Sequence, residues 1–348
     1  MTKLKMGIIG SGEIAQVRHI PAYQRLQGKV ELVAVQDIDF KKAQEVAKRY
    51  HIPHVFEDDE DLFKSVDAVT ICTPNKYHAD IAVRALNAGV HVLCEKPMAI
   101  TREECKRMIT AARKADKRLS IAYHYRFTEV AKVAKRAVEG NEVGEPLVIR
   151  VQALRRRKVP GWGVFTNKEL QGGGSLIDYG CHFLDLALWL LNGLEPVEVI
   201  GSTYNRLSKT PGQINEWGTF DSETFDVDDH VSAYIKFANG ASMLFECSWA
   251  ANIKEDIKHI SISGSEGGIN VFPFELYRPG FGTFVTSRAE VGFDETKAGH
   301  LQAERFVDSC LGAAELLVEP EEAENVSKII EAIYKSCETG RSVKLDEF

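Results

Sequence analysis

The sequence predicts two domains of different class: an α/β doubly wound parallel sheet, then an α+β domain on a largely antiparallel open sheet. Three observations carry this expectation. Apolar strand-length runs alternate with amphipathic helix-length segments through residues 1–123, and the first run opens onto a glycine-rich turn. Beyond residue 123, strands follow one another without paired helices. The 348 residues suffice for two separate cores, so we divide the chain into a first domain, 1–123, and a second, 124–348.

The first strand, Lys5–Gly10, leads into Gly10-Ser11-Gly12-Glu13-Ile14-Ala15. In this G-x-G-x-x-A turn the first glycine allows a tight bend and the second lets a pyrophosphate approach the backbone. Ala15 keeps the following helix close, and its N-terminus faces the phosphates, so Gly10, Gly12, Glu13 and Ile14 are candidate cofactor contacts. The second strand, Val30–Val35, ends at Gln36-Asp37. A carboxylate there accepts hydrogen bonds from ribose hydroxyls and repels a 2′-phosphate, and Ile38 supplies no compensating charge. NAD is therefore expected rather than NADP. Asp37 can also cap the helix predicted over Phe40–Tyr50.

A third strand, Ser65–Cys72, ends in Thr73-Pro74-Asn75, a loop expected to turn over the cofactor, and His78 opens the helix Tyr77–Ala88. The next strand, Val90–Cys94, stops at Glu95-Lys96-Pro97. Ligands of open α/β sheets bind beyond the carboxyl ends of strands, so Lys96 stands where chemistry can occur and Glu95 beside it. Helix Arg102–Ala115 and strand Leu119–Tyr123 complete the alternation. Tyr125 and Arg126 leave that strand near the same cleft, where Arg126 can meet cofactor or substrate or remain at the surface.

A helix over Thr128–Glu139 leads to strands Pro146–Ala153, Val197–Tyr204, His230–Phe237, Ala241–Trp249 and Lys258–Gly264, with a hairpin signal at Ala238-Asn239-Gly240. Amphipathic helices follow over Gly299–Leu311 and Pro320–Glu338. Between the first two strands, Gly172-Gly173-Gly174-Ser175 starts an apolar helix that ends at Asn192-Gly193. Asp178 and His182, four apart, share one face of it, with Asp185 further along. Pro160–Phe165 is a loop whose Trp162 offers a flat ring to a sugar or nicotinamide, or else anchors the loop in the core.

The net charge of −7 argues against nucleic acid and anionic membranes as partners. No apolar run approaches the roughly 20 residues of a membrane span, and the N-terminal apolar segment reads as a strand rather than a signal peptide. Seven scattered cysteines without a C-x-x-C pair indicate a reduced, cytoplasmic protein with no structural metal.

Gly10-x-Gly12-x-x-Ala15, Thr73-Pro74-Asn75-x-x-His78, Glu95-Lys96-Pro97 and the G-G-x-x-x-D-x-x-x-H pattern ending in Asp178 and His182 resemble, in their order and spacing, the Gfo/Idh/MocA family. This is the group of glucose–fructose oxidoreductase and inositol dehydrogenase, and the resemblance covers nearly the whole chain. It implies an NAD-dependent oxidoreductase acting on a secondary alcohol of a sugar, inositol or related polyol. His182 would be the base, Lys96 the electrostatic partner and proton relay, and Asp178 a substrate anchor, with Tyr125 near the substrate. The roles suit the chemistry, since histidine titrates near neutrality and an ammonium stabilises a developing alkoxide. The resemblance also implies a homodimer or homotetramer formed through one face of the second sheet. A redox-neutral sugar-modifying enzyme with tightly held NAD, or a non-catalytic NAD-binding regulator, would share these features.

Overall fold

The computed structural model describes residues 3–347 and separates the chain into two compact units, one reaching Phe127 and including Asp294–Glu324, the other formed by 128–293 and the remaining C-terminal residues. The first contains a six-stranded parallel sheet of β1 (Leu4–Ile9), β2 (Val30–Gln36), β3 (His54–Phe56), β4 (Ala68–Ile71), β5 (His91–Cys94) and β6 (Leu119–Ile121). Their order is β3-β2-β1-β4-β5-β6. The order reverses between β1 and β4, so the loops after these strands flank the crevice where such sheets bind ligands. The strand interiors are nearly continuous buried apolar runs, as a sheet covered on both faces requires: Met6, Ile8, Ala34, Val35, Val69, Ile71, Val92 and Leu93 are fully buried.

Helices Phe40–Tyr50 and Arg102–Ala115 occupy the predicted spans. The first is capped by Asp39, whose side chain accepts from Lys42 N; capping is thus not the task of Asp37. The second carries a full capping box between Thr101 and Glu104. The segment after the glycine turn starts as a π-turn, Ala15–His19, before continuing as α-helix Ile20–Arg25.

The tail does not belong wholly to the second domain. Helix Glu295–Cys310, read from the sequence as starting at Gly299, returns to the first unit. There Ala303, Phe306 and Val307 join the core of Leu4, Met6, Ile8, Ile20 and Tyr23. Lys29 fastens it through Asp308 at 2.8 Å and Glu304 at 3.2 Å. An amphipathic pattern says which helix face is apolar but not which core receives it. The first boundary also moves, from residue 123 to Phe127.

The second unit is built on a nine-stranded sheet: β7 (Pro146–Leu154), β8 (Pro196–Tyr204), β9 (His230–Phe237), β10 (Ser242–Ser248), β11 (Ile257–Gly264), β12 (Gly268–Asn270), β13 (Glu275–Gly280), β14 (Thr283–Arg288) and β15 (Val343–Lys344). The order is β14-β13-β12-β11-β7-β10-β9-β8-β15, antiparallel but for the central β7–β10 pair. One face buries Ile149, Val151, Val231, Ile235, Met243 and Phe245. The alternate residues, among them Arg150, Ile200, Tyr234 and Leu244, are exposed on the other face. The ribbon β12–β14 was absent from the sequence reading because its strands are short and interrupted by glycine and proline. Among the described residues no helix is long and apolar enough to cross a membrane.

Candidate functional site

In the first unit the site grows from the carboxyl ends of β1, β2, β4 and β5. Gly10 leaves β1 at φ +86°, and a Cβ there would lie 2.8 Å from the Cys72 carbonyl, so the protein itself demands glycine. At Gly12 a Cβ would meet nothing within 4 Å. No protein atom within 4 Å requires that glycine, and the open space leaves the backbone there accessible to a bound group. Thr73 Oγ1, at the end of the neighbouring loop, is buried without a partner among the described residues. An open glycine cradle beside an orphaned hydroxyl fits a dinucleotide pyrophosphate and its flanking groups.

Asp37 is nearly buried and held in place. Its Oδ2 accepts from Ser11 N and Ser11 Oγ, each at 2.7 Å, and its Oδ1 accepts from Asp39 N at 3.0 Å. Burial pushes its carboxyl up, but these bonds and Lys42, 3.6 Å away, outweigh burial and lower it, so it stays ionised. Lys42 is a cation that the sequence reading did not place near Asp37.

Glu95 was expected beside the cofactor or in a local salt bridge. It is 5% exposed and bonds His19 Nε2 at 2.7 Å, tying the β5 corner to the π-turn after the glycines. Burial raises its carboxyl, yet the His19 bond and the charges of His19, Arg18 and Lys96 prevail and hold it at about 2. His78 is also a strut. It is fully buried between the carbonyls of Pro97 (2.9 Å) and Thr73 (3.0 Å), joining the two corners, and burial keeps its pKa low. Asn75 is almost buried in the 3₁₀ turn Asn75–Tyr77 that follows Pro74. Lys96 remains partly exposed at the corner, its backbone N–H bonded to Glu95 at 3.1 Å.

Arg126 and Tyr125, expected near the cleft, are both buried. Arg126 is 1% exposed and its guanidinium pairs with Glu322 and donates to the Leu317 carbonyl at 3.2 Å. It holds the returning tail and is not at the surface. Tyr125 is 3% exposed, with its hydroxyl 3.4 Å from Glu295. Glu295 also faces His124 and Arg18, and Arg18 donates to His124 Nδ1 at 3.2 Å. None of Arg18, His19 or His124 was legible as a group, because their partners are 76 or more positions away along the chain.

In the second unit, Asp178 lies in a π-turn, Leu176–Gly180, that runs into helix Cys181–Leu190, where His182 sits 7% exposed. Such π-turns concentrate at functional sites. Asp178 Oδ2 accepts from Trp249 Nε1 at 3.0 Å and lies 3.8 Å from Arg155 Nη1. Asp185 is fully buried. Ser175 does not cap the helix with its own hydroxyl. The cap comes from Asp228, which accepts from Gly174 N (2.8 Å), Leu176 N (2.9 Å), Ser175 Oγ (2.8 Å) and Tyr334 Oη (2.7 Å). The glycines admit this clamp: a Cβ at Gly173 would sit 2.0 Å from Tyr334 Oη, and one at Gly174 2.0 Å from the Asp228 carbonyl oxygen. Trp162 is 43% exposed, its ring 5.7 Å from that of Trp217.

The arrangement offers a dinucleotide cradle in one unit and an acid–base helix in the other. Among the described residues no cluster of three or more His, Cys, Asp or Glu could hold a metal ion.

Known proteins share both halves. Residues 4–123 match the model of an oxidoreductase family with an NAD-binding Rossmann fold, and residues 131–270 match the GFO/IDH/MocA C-terminal domain. The chain is 36% identical over 348 residues to D-glucoside 3-dehydrogenase of Escherichia coli K12, covering 98% of this chain and 97% of that one. It is 29% identical over 300 residues to levoglucosan dehydrogenase of Pseudarthrobacter phenanthrenivorans, covering 79% and 75%. A solved levoglucosan dehydrogenase, in complex with NADH and levoglucosan, has the same fold with a TM-score of 0.85 at 23% identity, covering 99% and 100%. With both family models matched in order and a relative aligned along almost its full length, the chain belongs to the Gfo/Idh/MocA family of oxidoreductases with an NAD-binding Rossmann fold.

Proposed function

We propose that the protein transfers a hydride between a secondary alcohol of a sugar, inositol or related polyol and the nicotinamide of NAD. The observation that carries this reading is the buried helix bearing Asp178 and His182, pinned at its start by Asp228 and fixed laterally by Trp249. A structural helix has no need of an acid, a base and a trans cap together.

Gly10, Gly12, Glu13, Ile14 and the Thr73–Asn75 loop would cradle the cofactor, with Asp37 accepting from the ribose. Asp37 favours NAD over NADP. Lys42 does not offset this, because its charge is already matched by the Asp37 carboxylate. When bound, NAD would supply the hydride acceptor. His182 takes the hydroxyl proton on a ring nitrogen, and the Lys96 ammonium stabilises the developing alkoxide and relays the proton onward. Asp178 accepts a hydrogen bond from a neighbouring hydroxyl and so orients the reacting carbon. Glu95 and His78 position Lys96 and Thr73 from behind. Seven scattered cysteines without a C-x-x-C pair support a reducing, cytoplasmic setting. The exposed Ile200, Tyr204, Tyr234 and Leu244 on the open sheet face support assembly with further copies of the chain.

Purified protein supplied with NAD and a panel of inositols, pentoses, hexoses and glycosides should accumulate reduced cofactor. His182→Ala and Lys96→Ala should each lower turnover by about two orders of magnitude or more, with NAD affinity little changed. Near-normal turnover in both variants would remove the assignment. Conversion without net cofactor reduction would favour a redox-neutral sugar-modifying enzyme, and binding without conversion a regulator.

A further inference from the structure

Arg155 opens the basic run that follows β7, and its guanidinium is held in an unusual way. Its Cζ lies 3.8 Å from the Tyr179 ring centroid and 4.4 Å from that of Trp217, so the planar group packs against two aromatic rings. Nη1 has no hydrogen-bond partner among the described residues although it is buried. The Asp178 carboxylate is 3.8 Å away, beyond hydrogen-bond reach. Both side chains keep a little exposure, 15% and 16%, and Trp162 continues the aromatic surface beside Trp217.

The rest of the run is consumed within the protein. Lys158 pairs with Asp256 and Glu216, Arg157 donates to the carbonyls of Arg156 and Ala251 and to Asn252, and Arg156 donates to the Lys254 carbonyl. Arg155 itself stands against Asp178, so the locus is close to neutral. It presents a rigid donor fork beside a carboxylate acceptor, flanked by ring faces. That combination matches adjacent hydroxyls on a ring whose C–H face can lie on an aromatic side chain. A phosphate would find no uncompensated cation here and would be repelled by Asp178.

We propose that Arg155, with Asp178 and the Trp217–Trp162 surface, forms the substrate-recognition subsite and that it selects an uncharged pyranoside over a phosphorylated sugar. This rests on the sugar oxidoreductase reading and narrows its substrate class. The ring packing holds the guanidinium in place before substrate arrives, so its hydrogen bonds to the sugar cost little ordering.

The test uses the full-length protein and two readouts. Titration of methyl β-D-glucopyranoside should change the intrinsic tryptophan fluorescence, and glucose 6-phosphate should bind at least about tenfold more weakly. Arg155→Met, which keeps the packed bulk without the donors, and Arg155→Lys, which keeps the charge without the fork, should each raise the glucoside Kd by about tenfold or more. In turnover the loss should fall on KM more than on kcat, with NAD affinity unchanged. Equal glucoside binding in Arg155→Met, or preference for the sugar phosphate, would overturn the subsite. Because the fluorescence readout does not need turnover, glucoside binding that depends on Arg155 without cofactor reduction would uphold the subsite and strike only the dehydrogenase reading.

Discussion

Gly10 and Gly12 stand two positions apart and are constrained by different things. Gly10 is fixed by its own positive φ and by the Cys72 carbonyl. Gly10→Ala should therefore lower stability by about 1–3 kcal/mol, the usual cost of a strained backbone position, seen as a drop in thermal midpoint. Gly12→Ala meets no protein atom within 4 Å and should leave the midpoint nearly unchanged while weakening NAD binding. Loss of stability rather than of NAD affinity in Gly12→Ala would contradict this division. Glu95 supplies a pH signature at the same scale. Its folded pKa, about 2, lies below its ordinary 4.5. The stability it contributes is complete above about pH 4.5 and lost as the pH falls towards about 2. In Glu95→Gln the fall in unfolding midpoint across that interval should be shallower than in wild type; parallel curves would show that the His19 pair carries no such linkage.

At the scale of elements, the helix that carries Asp178 and His182 is held from outside. Asp228 gathers two backbone N–H groups and two hydroxyls, and Tyr334 reaches it through the space left by Gly173. Asp228→Ala leaves these donors buried and unpaired, and should cost about 3 kcal/mol or more of unfolding free energy in denaturant titrations. Tyr334→Phe removes one hydroxyl and should cost only about 1 kcal/mol. Surviving Asp228→Ala protein should lose kcat by about tenfold or more, since the helix start that sets Asp178 is no longer pinned. Unchanged kcat in both variants would separate the clamp from the chemistry. The helix is legible through its glycines, its apolar faces and the Asn192-Gly193 stop. The clamp is not, because Asp228 is 50 or more positions from every group it caps on that helix, and a carboxylate in a loop carries no mark of its target.

At the scale of the whole molecule, the two sheets were readable and the path of the tail was not. Alternation of strands and helices identifies a parallel sheet, and serial strands an antiparallel one, because each pattern follows from how its faces are covered. The open face of the second sheet carries Ile200, Tyr204, Tyr234 and Leu244. If it joins copies of the chain, light scattering should give a mass that is a multiple of 38.8 kDa. The double variant Tyr234→Glu, Leu244→Glu should then shift the protein towards the monomer while keeping its far-ultraviolet dichroism. A wild-type protein at the monomer mass would dismiss that use of the face.

Local rules reach a few residues along the chain, and what they govern was determined by the sequence alone. These features are the tight turn at Gly10, the acid at the end of β2, the lysine closing β5, and the four-residue spacing of Asp178 and His182. Tertiary structure decided what depends on partners far away in the chain. It turned Glu95 towards His19, buried Arg126 against Glu322, capped the helix of Asp178 and His182 with Asp228, and set Arg155 over Tyr179 and Trp217 beside Asp178. The physical reason is that a hydrogen bond or a stacked ring requires contact within a few ångströms. Spacing along the chain fixes such contact only within a turn or a helix; elsewhere it is the packing of the core that brings the partners together.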